Sequence, residues 1–149
     1  MAVTRWLIAF LVAVGTAAIL GSIVQTQFNL ASISSLGAAI PWGLRAEVSA
    51  FDLLSFAPTY AIVAAFAMLI ALLIAAWPAS AFPALGVFWY ALAGFLAIYT
   101  ALVTMNAMLP VTVIGAARSS AGMLSLALAG GLGGWLYGLI WAQRQKGQN

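Results

Sequence analysis

The sequence predicts an all-α integral membrane protein, a four-transmembrane-helix bundle with short interfacial helices in its first outer loop. Three observations carry that expectation. Hydrophobic residues make up 66% of the 149-residue chain and charged residues only 5%, far from the roughly half-apolar, quarter-charged average of soluble domains. The apolar residues gather into four uncharged runs of about 20, the length that crosses a hydrocarbon core about 30 Å thick at 1.5 Å per residue. Small residues recur every fourth position in several runs, a spacing that lets helices approach closely in lipid. Four crossings and two loops account for the chain, which reads as a single membrane domain over residues 1–149.

The first helix is expected at about 6–24, WLIAFLVAVGTAAILGSIV, preceded by Arg5. A secretory leader is the rival reading, because Arg5 gives a basic start and Gly15-Thr16-Ala17 resembles a cleavage site. Signal cores run about 7–15 apolar residues and this stretch is longer, so a crossing is expected. Residues 25–57 then form a first outer loop too long for a turn and too apolar for a solvated linker. Asn29 can cap a short helix, LASISSLG, that Gly37 ends. Pro41-Trp42-Gly43 makes a turn with Trp42 at the interface, and Ser49 and Asp52 have the spacing of a capping box for a second short helix, AFDLLSF.

Pro58 suits the first turn of the second helix, expected at about 58–77. The uncharged WPASAFP that follows reads as a tight turn between antiparallel helices, punctuated by Pro78 and Pro83. The third helix is expected at about 84–104 and the fourth at about 121–142, separated by a second outer loop at 105–120. Either Ser119 or Ser120 can cap the fourth.

The fourth run holds LALAGGLGGWLYG, with five glycines in nine residues. Gly130, Gly134 and Gly138 fall on one helical face, which Ala142 extends, and Ala9, Ala13, Ala17 and Gly21 form a matching row in the first run. These rows predict that the first and fourth helices pack together, with homodimerisation through the same glycines as the alternative. Ala93, Ala97 and Ala101 give the third helix a similar row. The glycines have neither the GxGxxG spacing nor the Lys-Ser/Thr pair of a phosphate-binding loop.

Orientation follows from basic residues near helix ends. Termini on the inner side place Arg5, Arg144 and Lys146 there, against Arg45 and Arg118 outside, and both acids also fall in the outer loops. The expectation is a multi-pass protein of the cell inner (plasma) membrane with both termini cytoplasmic.

Candidate chemistry is confined to Arg118, Glu47, Asp52 and Arg45. Arg118, beside an apolar boundary, is expected to pair with Glu47 or Asp52 across the bundle top, or to bind a lipid phosphate or another anion. Asp52 is also explained as a helix cap. Trp89, Tyr90 and Tyr99 are a possible pocket for a quinone or acyl chain, although at helical spacing plain packing explains them as well.

The chain has no cysteine and no histidine, which removes disulfides, thiol redox chemistry and the usual zinc and haem ligand sets. No cofactor, metal site or catalytic residue is expected. Nor is a nucleic-acid partner, because three of the five basic residues mark chain ends beside apolar runs. Crossings without ionisable residues also argue against a self-sufficient ion pathway. The function expected is a non-catalytic accessory or scaffold module binding membrane lipids and a partner membrane protein, or assembling as a homo-oligomer. The alternative is a lipid-active enzyme or a lipid or quinone carrier with a polar site at the outer interface.

Overall fold

The computed structural model describes residues 2–146, with side chains over 3–141. The chain folds into four helices, α1 (Ala2–Ser35), α2 (Trp42–Ala81), α3 (Gly86–Met108) and α4 (Ser120–Lys146), with short 3-10 turns at Pro83–Leu85 and Gly115–Arg118. All four are long and apolar enough to cross a membrane. They suggest a multi-pass membrane protein. The side chains of Ala142, Arg144 and Lys146, used above to extend the glycine row and to orient the chain, lie outside the described residues.

Each helix packs on the next in sequence and α4 closes the ring against α1, while α2 and α4 barely meet. The start of α1, the end of α4 and the 82–85 turn therefore lie at one end of the bundle. Segments 36–41 and 109–119 lie at the other, the loop end. Met68, Ile98, Leu102 and Leu126 are the largest fully buried apolar side chains, and Ala9, Ala13, Ala17, Ala64 and Ala127 fill the close approaches between helices.

The glycine row packs differently from expectation. Gly130, Gly134 and Gly138 face α3, not α1: a Cβ on Gly134 would strike the Tyr90 carbonyl oxygen, one on Gly130 the Gly94 carbonyl oxygen and Ile98, and one on Gly138 would lie 3.0 Å from Val87 Cα. The contact is reciprocal, since a Cβ on Gly94 would meet the Gly130 backbone. It is Gly133, one position off the row, that presses on α1 at the Ala13 carbonyl. Ala9, Ala13 and Ala17 are fully buried, but Gly21 lies against the Tyr60 ring of α2. With glycines at both 133 and 134, α4 has a bare surface for each neighbour, and the four-residue period alone does not say which neighbour takes which.

The helix ends also depart from expectation, most of all at the loop end. Residues 25–57 contain no separate short helices: α1 continues through Asn29 to Ser35, and α2 begins at Trp42 and runs through Pro58. Nothing between 25 and 35 breaks a helix, and Ser32 and Ser35 return their hydroxyls to the Phe28 and Ser32 carbonyls. α2 is held in line across Pro58 because it touches α1 on both sides, Asp52 meeting Thr26 above and Tyr60 meeting Gly21 below. Gly37, at φ 95°, does stop a helix as expected, but the helix is the continuous α1 and not a separate short one, and the Gly37 N–H bonds the Ser34 carbonyl at 3.0 Å.

Pro78 likewise lies inside α2, which stops at Ala81, so WPASAFP is mostly helix and the chain reverses at Phe82. Ser119 caps α4, its hydroxyl accepting from the Gly122 N–H at 3.0 Å. α1 has 34 residues, α2 has 40 and α3 has 23, or roughly 51, 60 and 35 Å at 1.5 Å per residue. The surplus length of α1 and α2 forms a helical hairpin standing beyond the loop-end level of α3 and α4.

Candidate functional site at the loop end of the bundle

Polar residues converge where this hairpin leaves the bundle. On α1, Ser22, Gln25 and Thr26 share one face at the end of an apolar run, and all three are buried. Across the seam, α2 presents Arg45, Ser49 and Asp52, spaced to lie on one face. Thr26 donates its hydroxyl toward Asp52 Oδ2 at 2.6 Å while lying 2.9 Å from the Ser22 carbonyl. One turn nearer the tip, three side chains form a ring. Arg45 Nη1 donates to Gln27 Oε1 at 3.0 Å, Gln27 Nε2 donates to Ser49 Oγ at 3.1 Å, and Ser49 Oγ donates to the Arg45 carbonyl at 2.7 Å. The Arg45 guanidinium also lies 5.7 Å over the Trp42 ring, a cation–π distance.

The second loop is fastened to this layer. Gln25 Oε1 accepts from the Ala116 N–H at 2.8 Å, and Asn106 Nδ2 donates to the Ala117 carbonyl at 3.2 Å. Gly115 sits so close to Asn29 and Gln25 that a Cβ there would strike the Asn29 side-chain oxygen. Ile114, Ala116 and Ala117 are buried as a result. The loop is thus packed against α1 and α4, with the Asn106 bond tying it to α3.

Several of the sequence-predicted site residues fall elsewhere. Asp52 is held by Thr26 and is not the cap of a short helix. Arg45 is engaged with Gln27 and Trp42. Glu47 and Arg118 are both exposed, and among the described residues neither forms an ion pair, so Arg118 does not tie the two loops together through Glu47 or Asp52. Arg118 lies at the end of the 3-10 turn before α4, open to a lipid phosphate or to solvent. Among the described residues no three His, Cys, Asp or Glu side chains come together as a metal group.

The residues that sequence reasoning passed over are Ser22, Gln25, Thr26, Gln27 and Asn106. Their signal was present in the spacing: polar residues at 22, 25 and 26 fall on one helix face, facing a second polar face at 45, 49 and 52.

At the hairpin tip Leu36 is 87% exposed and Trp42 86%, with Ile33 and Leu44 also exposed, beside exposed Ser32, Ser34, Ser35 and Glu47, while Gln27, Arg45 and Ser49 bond one another across the seam. This distribution suits an apolar surrounding or a protein cover.

Trp89, Tyr90 and Tyr99 do not line one pocket. Trp89 faces a groove of about 920 Å³ between α2 and α3, floored by Ala67, Ala71, Ala93 and Ala97 and walled by Phe66 and Ile70. Tyr90 is buried on the other side of α3, its ring edge-on to Tyr137 of α4 at 4.9 Å, and Tyr99 points outward, stacked on Phe95. Helical spacing of 100° per residue sends neighbours 89 and 90 to different partners. Compared with protein-family models, with curated proteins and with solved structures, the chain matches none.

Proposed function

We propose that this chain is a non-catalytic accessory module of the cell inner membrane, with both termini cytoplasmic, that docks a partner membrane protein through the tip of the α1–α2 hairpin. The observation supporting this reading is the group of exposed large apolar side chains at the hairpin tip. A tip that turns Leu36, Trp42 and Leu44 outward gains by covering those apolar groups, at about 25 cal/mol per Å² removed from water. Trp with a neighbouring Arg is also the composition that dominates binding hot spots.

Extraction in native-lipid nanodiscs followed by mass spectrometry of copurifying species tests the proposal. A stoichiometric partner protein, lost on Trp42→Ser and Leu36→Ser while the variants remain folded, supports it. A partner retained by both variants, or none at all, overturns it.

A lipid or quinone carrier is the second reading, favoured by the apolar α2–α3 groove. A stoichiometric lipid or quinone lost on Ala97→Leu, with no partner protein, supports that reading instead.

A further inference from the structure

The outward side of α2 stays apolar over more than the thickness of a hydrocarbon core. Leu44, Phe51, Leu54, Ile62, Phe66 and Ile70 fall on one side of the helix, with exposures from 42% to 83%. Trp77, 78% exposed, carries that side on. Leu44 to Trp77 spans roughly 50 Å at 1.5 Å per residue, against about 30 Å of hydrocarbon and about 40–45 Å of whole bilayer.

α1 does the opposite at the same height. It is bonded to α2 through Gln27, yet beyond Thr26 its exposed residues are mostly small or polar, Asn29, Ala31, Ser32, Ser34 and Ser35 beside one Ile33. An apolar surrounding would envelop both helices alike. The contrast therefore points to a cover on α2 alone.

That cover needs an apolar side as long as the one it meets. α3 and α4 end at the loop-end level and α1 turns polar, so among the described helices only α2 of another copy supplies it. Two copies inserted in the same direction about a two-fold axis along the membrane normal set equal heights of α2 against each other. Shape agrees, because Phe66 and Ile70 form a ridge at the wall of the α2–α3 groove, and the groove gives each copy a recess for the other's ridge. The six side chains from Leu44 to Ile70 leave roughly 700 Å² open, close to the roughly 800 Å² that each partner of a standard interface buries.

We propose that α2 carries a homodimer interface, paired with α2 of a second copy from the hairpin down to Trp77. Glu47 falls at its edge, exposed, and Ser55, within it, returns its hydroxyl to the Phe51 carbonyl. The glycine row of α4 has no part in it, being packed against α3. The proposal does not depend on the docking reading, since Trp42 lies on the other side of α2 and Leu36 precedes the helix.

The chain has no cysteine, so single cysteines report contacts between copies. Phe51→Cys, Ile62→Cys and, as a control on α4, Leu128→Cys are oxidised with copper phenanthroline in native membranes. A disulfide needs Cα atoms within about 7 Å, so Phe51→Cys and Ile62→Cys should each give a linked dimer severalfold above Leu128→Cys. Linking at only one of the two, at neither, or equally at Leu128→Cys overturns the proposal. Native mass spectrometry of nanodiscs should count two copies for the parent and one for the double variant Phe51→Ser, Leu54→Ser, whose changes are exposed and spare the fold. A parent of one copy, with or without lipid in the groove, overturns the proposal, as does a double variant that keeps two.

Discussion

Gly134→Ala and Gly15→Ala are the same chemical change in the interiors of two apolar helices, and the packing gives them opposite signs. An added Cβ at Gly15 meets nothing within 4 Å, whereas at Gly134 it would run into the Tyr90 carbonyl oxygen, with Tyr90 C at 3.0 Å and Gly94 Cα at 3.2 Å. All three obstacles are backbone. No side chain can swing away, so α3 itself must shift. Alanine favours a helix interior over glycine by about 1 kcal/mol, and that gain stands alone at Gly15. At Gly134 it is opposed by overpacking, typically about 1–3 kcal/mol and here toward the upper end because a whole helix moves. The two variants should therefore differ by roughly 2–3 kcal/mol, Gly15→Ala above the parent and Gly134→Ala below it. Gly131→Ala, whose nearest neighbour would be Phe95 Cβ at 3.4 Å, should fall between. Reversible unfolding in mixed micelles by SDS titration measures all three. If Gly134→Ala is as stable as Gly15→Ala, the close α3–α4 approach is wrong.

Three further outcomes follow from the loop end. Gln25→Ala should free the Ala116 amide, costing about 1–3 kcal/mol and speeding hydrogen exchange across residues 109–119; unchanged exchange there would mean the loop is held by something else. Thr26→Val should destabilise the hairpin by about 1–3 kcal/mol, because Asp52 loses its hydroxyl partner, and Thr26→Ser should restore most of the loss; equal melting of the two variants would remove the Thr26–Asp52 bond as a stabilising contact. Arg118→Gln should stay within about 0.5 kcal/mol of the parent, since Arg118 is exposed and forms no ion pair among the described residues; a larger loss on denaturation would show a partner for this guanidinium.

Four helices were legible because hydrophobic run length responds directly to the thickness of the medium, and the runs from Trp6, Pro58, Ala84 and Ala121 each came through as the apolar centre of an observed helix. Their ends were less legible. Pro58 and Asn29 carry local signals for starting a helix, but the α1–α2 contacts at Thr26–Asp52 and Gly21–Tyr60 override them, and those contacts join residues far apart in sequence. The glycines announced close packing without announcing against whom, because positions 133 and 134 lie 100° apart and serve different neighbours. Charge drew attention to Arg118 and Glu47, which are exposed, and away from Gln25 and Thr26. In an apolar chain, neutral polar residues on one face organise the seam, since they can be buried at far lower desolvation cost than ions.

The closing of the ring by α4 bears on the order in which the chain is assembled. α4 is the least apolar of the four candidate spans and the one most enclosed by the others. Its partition into lipid as a lone segment is therefore the weakest of the four, while its contacts with α1 and α3 are extensive. Those contacts exist only once the earlier helices are in place. Of the four helices α4 is thus the one that depends most on its neighbours for a stable position, and α1 and α3 offer it a berth lined by Ala13, Tyr90 and Gly94.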